Sequence, residues 1–315
     1  MPYEDMGRGD DKMVAKIMNV CNVVCNLCGS RNYGEIKKGV YGNAAQNIYK
    51  CGACGHFFLG PLLDDAEEER FYIEDYPAFL LKRGDFKNTT PEDHFIKNEK
   101  EARRRFGLIK YLLAKGQSVL EIGSASGFFL SKIKPRVEEV FGIEPNTAYR
   151  EYANKKGIPT CPDIKELGHR KFDIIFLYYV LEHIKDPNGF LKHVKHFLKS
   201  SKSRIVIEVP NVDEALVSLY HSPAYNEFVW QRAHCSYFSA LTMEKLFKRS
   251  GLKAKFIPEQ RYDISNHIYW LAECKPGGAG KYAHIFSGAL NRKYADDLKD
   301  KWLCDTILAV AQPTR

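Results

Sequence analysis

The chain has 315 residues and a mass of 36.1 kDa, and its hydrophobic fraction of 44% and charged fraction of 27% are those of an ordinary globular protein. The longest apolar run, Ile174 to Leu181, is far shorter than the roughly 20 residues of a membrane helix, and the polar stretch MPYEDMGRGDDK carries no secretory signal, so we expect a soluble, cytoplasmic protein. The formal net charge of +8 is spread along the chain, which argues against a nucleic-acid-binding tail and suits a small anionic substrate.

The first predicted element is a small ribbon built around two cysteine pairs. Cys25 and Cys28 form one C-x-x-C motif, and Cys51 and Cys54 form a second one after 22 intervening residues. Two such turns fit a tetrahedral Zn²⁺ site with four thiolate ligands, and a closed shell of this kind indicates a structural ion. Cys21 and His56 are alternative ligands, although we expect His56 to lie at the surface.

An acidic and aromatic segment, residues 61–85, is expected to dock this ribbon on the rest of the chain. Thr90 and Pro91, followed by two acidic residues, are typical of a helix start, and we predict a helix that continues to about Leu113 and ends before Gly116. These boundaries divide the chain into an N-terminal ribbon and docking segment, residues 1–85, and a second domain, residues 86–315.

From Ser118 onward, short β-rich runs alternate with helical stretches. The predicted strands are SVLEI, EVFGI, FDIIFLY, SRIVIEV, KAKFIPEQ and CDTILAVAQ, and the predicted helices cover residues 146–156, 187–199 and 242–250. This alternation predicts an α/β fold with a doubly wound, mostly parallel seven-stranded sheet. A substrate-binding insertion is expected at about residues 261–302.

The segment from Glu121 to Gly127 predicts a cofactor loop, because a strand ends there in small residues and a helix begins. Glu144 ends the next strand about twenty residues later, where an acid would hold a ribose diol. A nicotinamide enzyme remains open on this evidence alone. However, the loop lacks the full G-x-G-x-x-G motif of those enzymes. Together with the segment LYYVLEHIKDP, it resembles instead the class I S-adenosylmethionine-dependent methyltransferases.

That resemblance implies roles for individual residues. The loop, with Glu121, Gly123, Ser124 and Gly127, would lie under the methionine part of S-adenosylmethionine, and Glu144 would bind the ribose hydroxyls. Asp163 or Ile164 would lie beside the adenine. The segment from Tyr178 to His183 would line the other side of the cofactor; a helix cap and a supporting pair are the alternative roles of Glu182 and His183.

The motifs CNLCGS and YKCGACGHFFL, followed by FYIEDY, resemble the zinc-ribbon methyltransferases that modify sugars and other small metabolites. In the segment W-Q-R-A-H-C-S-Y-F-S, His234 matches the histidine of the family's H-x-x-Y-F-S motif. The resemblance implies that His234 is the general base, with Arg232 on an anionic substrate group and Tyr237 as a donor. A structural role is open for each of these three residues.

We therefore predict O-methylation of a sugar nucleotide or related anionic metabolite, with no membrane partner and no nucleic acid. Arg232 and Ala233 stand where sugar C-methyltransferases carry another histidine and a glutamate, which favours oxygen over carbon. A sugar C-methyltransferase, a cofactor-binding protein without turnover, and a nucleic-acid or protein methyltransferase are the alternatives. Arg261, Asn266 and His267 are further candidates for contacts with the acceptor.

Overall fold

The computed structural model describes residues 23–71, 78, 79, 83 and 90–314. Cys21, residues 72–77, 80–82, 84 and 85 of the aromatic docking segment, and thus all of the FYIEDY motif except Phe71, lie outside the described residues. Within the described part of the chain, no helix combines the length and the apolar character needed to cross a membrane.

The N-terminal cysteines belong to a small antiparallel sheet. Its first three strands are β1 (Tyr33–Lys37), β2 (Asn47–Cys51) and β3 (Phe57–Gly60), and they are followed by helix α1 (Asp65–Arg70). The fourth strand, β9 (Ser236–Tyr237), comes from the distant part of the chain that carries His234, and it pairs with β3. The ribbon predicted for residues 1–85 is therefore completed by the second domain.

Further contacts join this sheet to the segment around His234. The Asn26 side chain donates to the Ser236 hydroxyl at 2.9 Å and to the Cys235 carbonyl at 3.2 Å. The backbone of Tyr41 exchanges hydrogen bonds with Trp230 and Arg232 at 2.8 and 3.1 Å. The cysteine-bearing sheet thus holds the chain on both sides of His234.

The predicted N-terminal helix begins where expected but is divided. Thr90 caps helix α2 (Pro91–Lys97) through a capping box with Asp93. The helix ends at Asn98, and α3 (Glu99–Ile109) continues into a 3₁₀ turn at Lys110–Leu112. The single helix predicted up to Leu113 is thus wrong at Asn98, whose side chain bonds the His94 carbonyl and helps to end the first segment.

The main sheet has seven strands in the order β10-β11-β8-β7-β4-β5-β6. Its members besides the two-residue β6 (Thr160–Cys161) are β4 (Ser118–Ile122), β5 (Glu139–Ile143), β7 (Ile174–Tyr178), β8 (Arg204–Pro210), β10 (Leu252–Glu259) and β11 (Thr306–Pro313). Strands β4 to β8 pair in parallel, and β11 is antiparallel to both of its neighbours. The predicted mostly parallel seven-stranded sheet is confirmed.

Alternating side chains of the central strands enter two separate apolar cores. Ile175 and Leu177 of β7 belong to one core, whereas Ile174 and Phe176 belong to the other. All five residues of β7 are buried, which explains why the sequence there is continuously apolar. The sheet is therefore covered on both faces.

Helices α4 to α9 connect or follow these strands, and α10 and α11 lie between the last two. They are α4 (Phe128–Ile133), α5 (Thr147–Lys155), α6 (Pro187–Lys195), α7 (Ala215–Ser218), α8 (Pro223–Val229), α9 (Ala240–Arg249), α10 (Ile264–Glu273) and α11 (Gly288–Asp300). The predicted insertion is thus a pair of helices joined by a turn-rich segment.

Candidate functional site

The four paired cysteines converge on one point. The sulfur atoms of Cys25 and Cys54 are 3.6 Å apart, and those of Cys28 and Cys51 are 3.5 Å apart. All four sulfurs lie within 4.8 Å of one another. These distances exclude a disulfide, whose sulfurs are about 2.05 Å apart, and they are close to the roughly 3.8 Å that separates thiolates bound tetrahedrally at about 2.3 Å from zinc.

The turn from Cys51 to Cys54 lowers the pKa of the Cys51 thiol. Burial raises the pKa of Cys51, but hydrogen bonds from the backbone N–H groups of Cys54 and Ala53 outweigh it and lower this pKa to about 7. His56 is completely buried, with its ring 5.1 Å from that of Phe238, so the expected surface position is wrong. Burial lowers the pKa of His56 to about 3, and the ring is outside the group of four sulfurs.

The predicted cofactor loop makes a tight turn between β4 and α4. Gly123 and Gly127 both have φ near +75°, which only glycine adopts without strain. A Cβ atom added to Gly123 would lie 2.6 Å from the Val180 side chain. The loop therefore approaches the segment that follows β7 so closely that position 123 has no room for a side chain.

Glu144 follows β5 and lies beside this loop. Its carboxylate accepts hydrogen bonds from the backbone N–H groups of Ala125 and Asn146 at 2.9 and 2.8 Å. Burial raises the pKa of Glu144, and these two bonds oppose the shift. The carboxylate is thus fixed at the carboxyl end of β5, where the resemblance placed the residue for the ribose.

The other predicted cofactor residues make hydrogen bonds within the protein. Ser124 is buried; its N–H and hydroxyl both donate to the Ile143 carbonyl, and its own carbonyl accepts from the Gly127 N–H at 2.9 Å. Its contact with a cofactor remains a prediction. Asp163 caps the 3₁₀ helix Ile164–Leu167 by accepting from the Lys165 N–H at 2.7 Å. Asp163 and Ile164 remain predictions for the adenine site.

Glu121 lies in β4 with 1% of its surface exposed, and one of its carboxylate oxygens is 3.8 Å from Arg105 of α3. Burial raises the pKa of Glu121 to about 8, against the attraction of Arg105. The same guanidinium lies 4.3 Å from the ring centre of Tyr178. Glu121 and Tyr178 therefore form part of the support beneath the loop.

One contact with the loop was missed in the sequence. His94 of α2 is 2.9 Å from the Ser126 hydroxyl through its Nδ1 atom, and its ring packs against Tyr149 at 5.0 Å. Burial lowers the pKa of His94 to about 4. In the sequence, His94 shows only as a polar residue on the inner face of the predicted helix. That pattern does not identify Ser126 of the loop as its partner.

His234 faces His183, with 4.9 Å between the ring centroids. Nδ1 of His183 donates to the Ala233 carbonyl at 2.8 Å, and Glu182 is almost fully buried beside the two rings. Burial lowers the pKa of His183 to about 4, and burial with the nearby His183 and Arg83 holds the pKa of His234 well below its ordinary value. Both imidazoles are therefore neutral at pH 7.

The Tyr237 hydroxyl is bonded to the protein backbone, which fits the structural role left open for it, and its role as a donor in catalysis remains a prediction. Its hydroxyl accepts from the Gln231 N–H at 2.7 Å and donates to the Gln231 carbonyl at 3.0 Å, and 5% of the residue is exposed. Tyr237 therefore shapes the turn that carries His234. The Arg232 guanidinium lies 3.8 Å from the ring centre of Phe71, and its role toward a substrate remains a prediction.

The three further candidates for acceptor contacts, Arg261, Asn266 and His267, do not lie in one place. Arg261 lies 4.7 Å from the ring centre of Tyr179 and 3.7 Å from Glu101, at the carboxyl end of β7. Asn266 and His267 are buried, and Nδ1 of His267 is 2.5 Å from the Tyr294 hydroxyl. His267 thus contributes to the packing between α10 and α11, and contacts of Asn266 and His267 with an acceptor remain predictions.

A family model described as a methyltransferase domain matches residues 94–255, a little over half of the chain. The chain belongs to this methyltransferase family. An uncharacterized methyltransferase from Bacillus pumilus is 23% identical over 198 residues, which cover 59% of this chain and 90% of that protein.

Solved structures with a related fold include other methyltransferases. The YcgJ protein of Bacillus subtilis matches with 18% identity and a TM-score of 0.46, covering 68% of this chain and 99% of its own. A SAM-dependent methyltransferase from Archaeoglobus fulgidus has 19% identity, a TM-score of 0.45, and coverage of 76% and 100%. The plantazolicin methyltransferase BamL, solved with SAH, has 16% identity, a TM-score of 0.47, and coverage of 79% and 95%.

The role of Tyr237 can be tested by Tyr237→Phe, which removes only the hydroxyl. Because Gln231 loses both a donor and an acceptor in a buried turn, we expect the free energy of unfolding to fall by about 1–3 kcal/mol. We also expect methyl transfer to fall less than tenfold. Urea unfolding and a rate measurement check this, and a rate loss of a hundredfold with unchanged stability would support Tyr237 as a catalytic donor.

Proposed function

We propose that this methyltransferase uses S-adenosylmethionine and methylates a hydroxyl group of a small anionic metabolite, a sugar nucleotide or glycan precursor. The observation that carries the proposal is that the loop after β4 lies close to the segment after β7, which carries His183 opposite His234. A Cβ on Gly123 would meet the Val180 side chain at 2.6 Å, and His183 follows Val180 by three residues and lies opposite His234. The carboxyl ends of parallel strands are where α/β proteins bind their ligands.

The residues around the loop fit S-adenosylmethionine. Gly123 lets the loop lie close to the segment after β7, Gly127 begins α4, and the fixed Glu144 carboxylate retains lone pairs for two hydroxyls. When bound, S-adenosylmethionine supplies an electrophilic methyl group on a sulfonium. The protein then has to orient the acceptor and remove its proton.

We assign removal of the acceptor's proton to His234. Its ring is neutral at pH 7 and partly exposed, and it lies on a turn that Tyr237 and the cysteine-bearing sheet hold in place. Arg83 and Arg232 are cations of this region and favour an anionic acceptor. A sugar C-methyltransferase is the second candidate, which fragmentation of the product would distinguish because it locates the methylated atom.

We also propose that the four cysteines bind a structural Zn²⁺. The sulfur separations fit one tetrahedral ion, and four thiolates leave no open position for chemistry. The ion would fix the turns that precede β1 and follow β2, and through β3 it would support β9. Its role is therefore to stabilise the surface against which the His234 turn packs.

Replacing Gly123 by alanine tests the cofactor loop. The new Cβ would meet Val180 at 2.6 Å, so we expect at least tenfold weaker binding of S-adenosylhomocysteine by calorimetry. Gly116→Ala is the matched control, since Gly116 also has a positive φ but no heavy atom lies within 4 Å of its added Cβ. Equal binding by the two variants would contradict the assignment.

Replacing His234 by alanine tests the acceptor side. Loss of proton removal is expected to lower the rate by about 10²- to 10⁴-fold, with unchanged affinity for S-adenosylhomocysteine. The exposed His193→Ala is the control. A mass-spectrometric screen of nucleotide sugars for a gain of one methylene unit supplies the acceptor, and an unchanged rate in His234→Ala would remove the assignment.

Metal analysis tests the cysteine site. We expect Cys51→Ser to contain about one zinc ion per chain fewer than Cys274→Ser, because Cys274 is an exposed cysteine outside the cluster. Equal zinc contents in the two folded variants would refute the structural zinc.

A further inference from the structure

Glu182 is a buried acid for which the proposed proton transfer gives no role. The residue is 1% exposed, and neither of its carboxylate oxygens has a hydrogen-bond partner among the described residues. Burial of an unpaired carboxyl group is costly, so native proteins normally pair such a group with a donor or a cation. The position of Glu182 therefore points to a missing partner.

Two imidazoles lie beside this carboxyl group. A carboxylate oxygen of Glu182 and one ring nitrogen each from His183 and His234 all lie within 4.8 Å of one another. Neither ring hydrogen-bonds to Glu182. Two ligands of a zinc-sized ion, each bound at about 2.1 Å, stand about 3–4 Å apart, so the three groups need only small movements to share one ion.

The rings are also oriented for coordination. Because Nδ1 of His183 donates to the Ala233 carbonyl, its Nε2 carries the lone pair, an arrangement that is common for metal-binding histidines. The Gln231 amide nitrogen, a donor, lies 3.1 Å from Nε2 and 3.4 Å from Nδ1 of His234; it holds that ring, and an ion would displace it from the nitrogen that becomes the ligand. Glu182 and His183 lie together on the 3₁₀ turn Leu181–His183, whereas His234 reaches them from the turn before β9.

We propose that Glu182, His183 and His234 bind a divalent first-row transition-metal ion. Two imidazoles and one carboxylate form a donor set that suits Zn²⁺, Mn²⁺ or Fe²⁺ and leaves coordination positions open. Because both rings are only partly buried, an acceptor oxygen can reach those positions from the side of the rings. This site is separate from the four cysteines, whose shell is closed.

The inference rests on the proposed function in one respect, since it explains how His234 promotes loss of the acceptor's proton. A cation that binds the acceptor hydroxyl lowers its pKa. The O–H bond breaks, the proton passes to water, and the electron pair stays on oxygen. His234 then acts as a ligand of the ion, and this role replaces the direct proton removal assigned to it in the proposed function.

Manganese is the probe for this site, because Mn²⁺ prefers oxygen and nitrogen donors and competes poorly for four thiolates. We expect electron paramagnetic resonance to detect one bound Mn²⁺ per folded full-length chain, with hyperfine couplings from two imidazole nitrogens. Glu182→Gln keeps the shape of the side chain but should weaken Mn²⁺ binding at least tenfold. His193→Ala, an exposed histidine on α6, should bind as the wild type does.

The outcomes separate the inference from the proposed function. Absence of bound Mn²⁺ at millimolar concentration, or a bound ion without imidazole couplings, would overturn the metal site even if the protein binds S-adenosylhomocysteine and methylates an acceptor. Conversely, Mn²⁺ binding is measured without the cofactor, so it can be established even if methyl transfer fails. The wild-type couplings decide the question if Glu182→Gln does not fold.

Discussion

The pairing of β3 with β9 is the constraint on which the site depends. Phe57 and Phe58, which follow the second cysteine pair, align with Tyr237 and Ser236. The Asn26 amide and the Lys245 ammonium add bonds across the same junction, the latter to the Cys54 carbonyl at 2.7 Å. A few hydrogen bonds thus connect the four cysteines to the turn that carries His234.

A second constraint is the set of charges buried at the carboxyl end of the sheet. Arg104 of α3 contacts Glu101 at 2.6 Å and the completely buried Glu208 of β8 at 2.5 Å, and Arg105 lies near Glu121. Breaking one member of such a group leaves an unpaired buried charge, which costs about 3–5 kcal/mol. The group therefore fixes α3 over the strands that carry the cofactor loop.

The sequence predicted those parts of the structure that depend on local patterns. Continuous apolar runs located β7 and β8, and glycines with an acid after the next strand located the cofactor loop, because each signal lies within a few residues of its effect. The cysteine spacing likewise predicted that four sulfurs converge. In each case the residues that form the sequence pattern are the same residues that are buried, turn the chain or converge.

Contacts between distant segments could not be predicted in this way. Nothing in the two residues Ser236 and Tyr237 shows that they complete a sheet with β3, and the burial of His56, Asn266 and His267 depends on elements packed against them. The grouping of Glu182 with His234 has the same origin. The hydroxyl of Tyr237 and the ring of His267 bond to neighbouring protein groups. Glu182, for which the sequence left a helix cap and a direct cofactor contact open, lies beside His183 and His234.

Hydrogen exchange of residues 231–238 tests most directly whether the cysteine cluster positions His234. We predict that Cys51→Ser, compared with Cys274→Ser, exchanges these amides faster while β4 and β7 keep their protection, because one face of the main sheet packs in a core that contains none of the cysteines. Unchanged protection of residues 231–238 in folded Cys51→Ser would contradict the account.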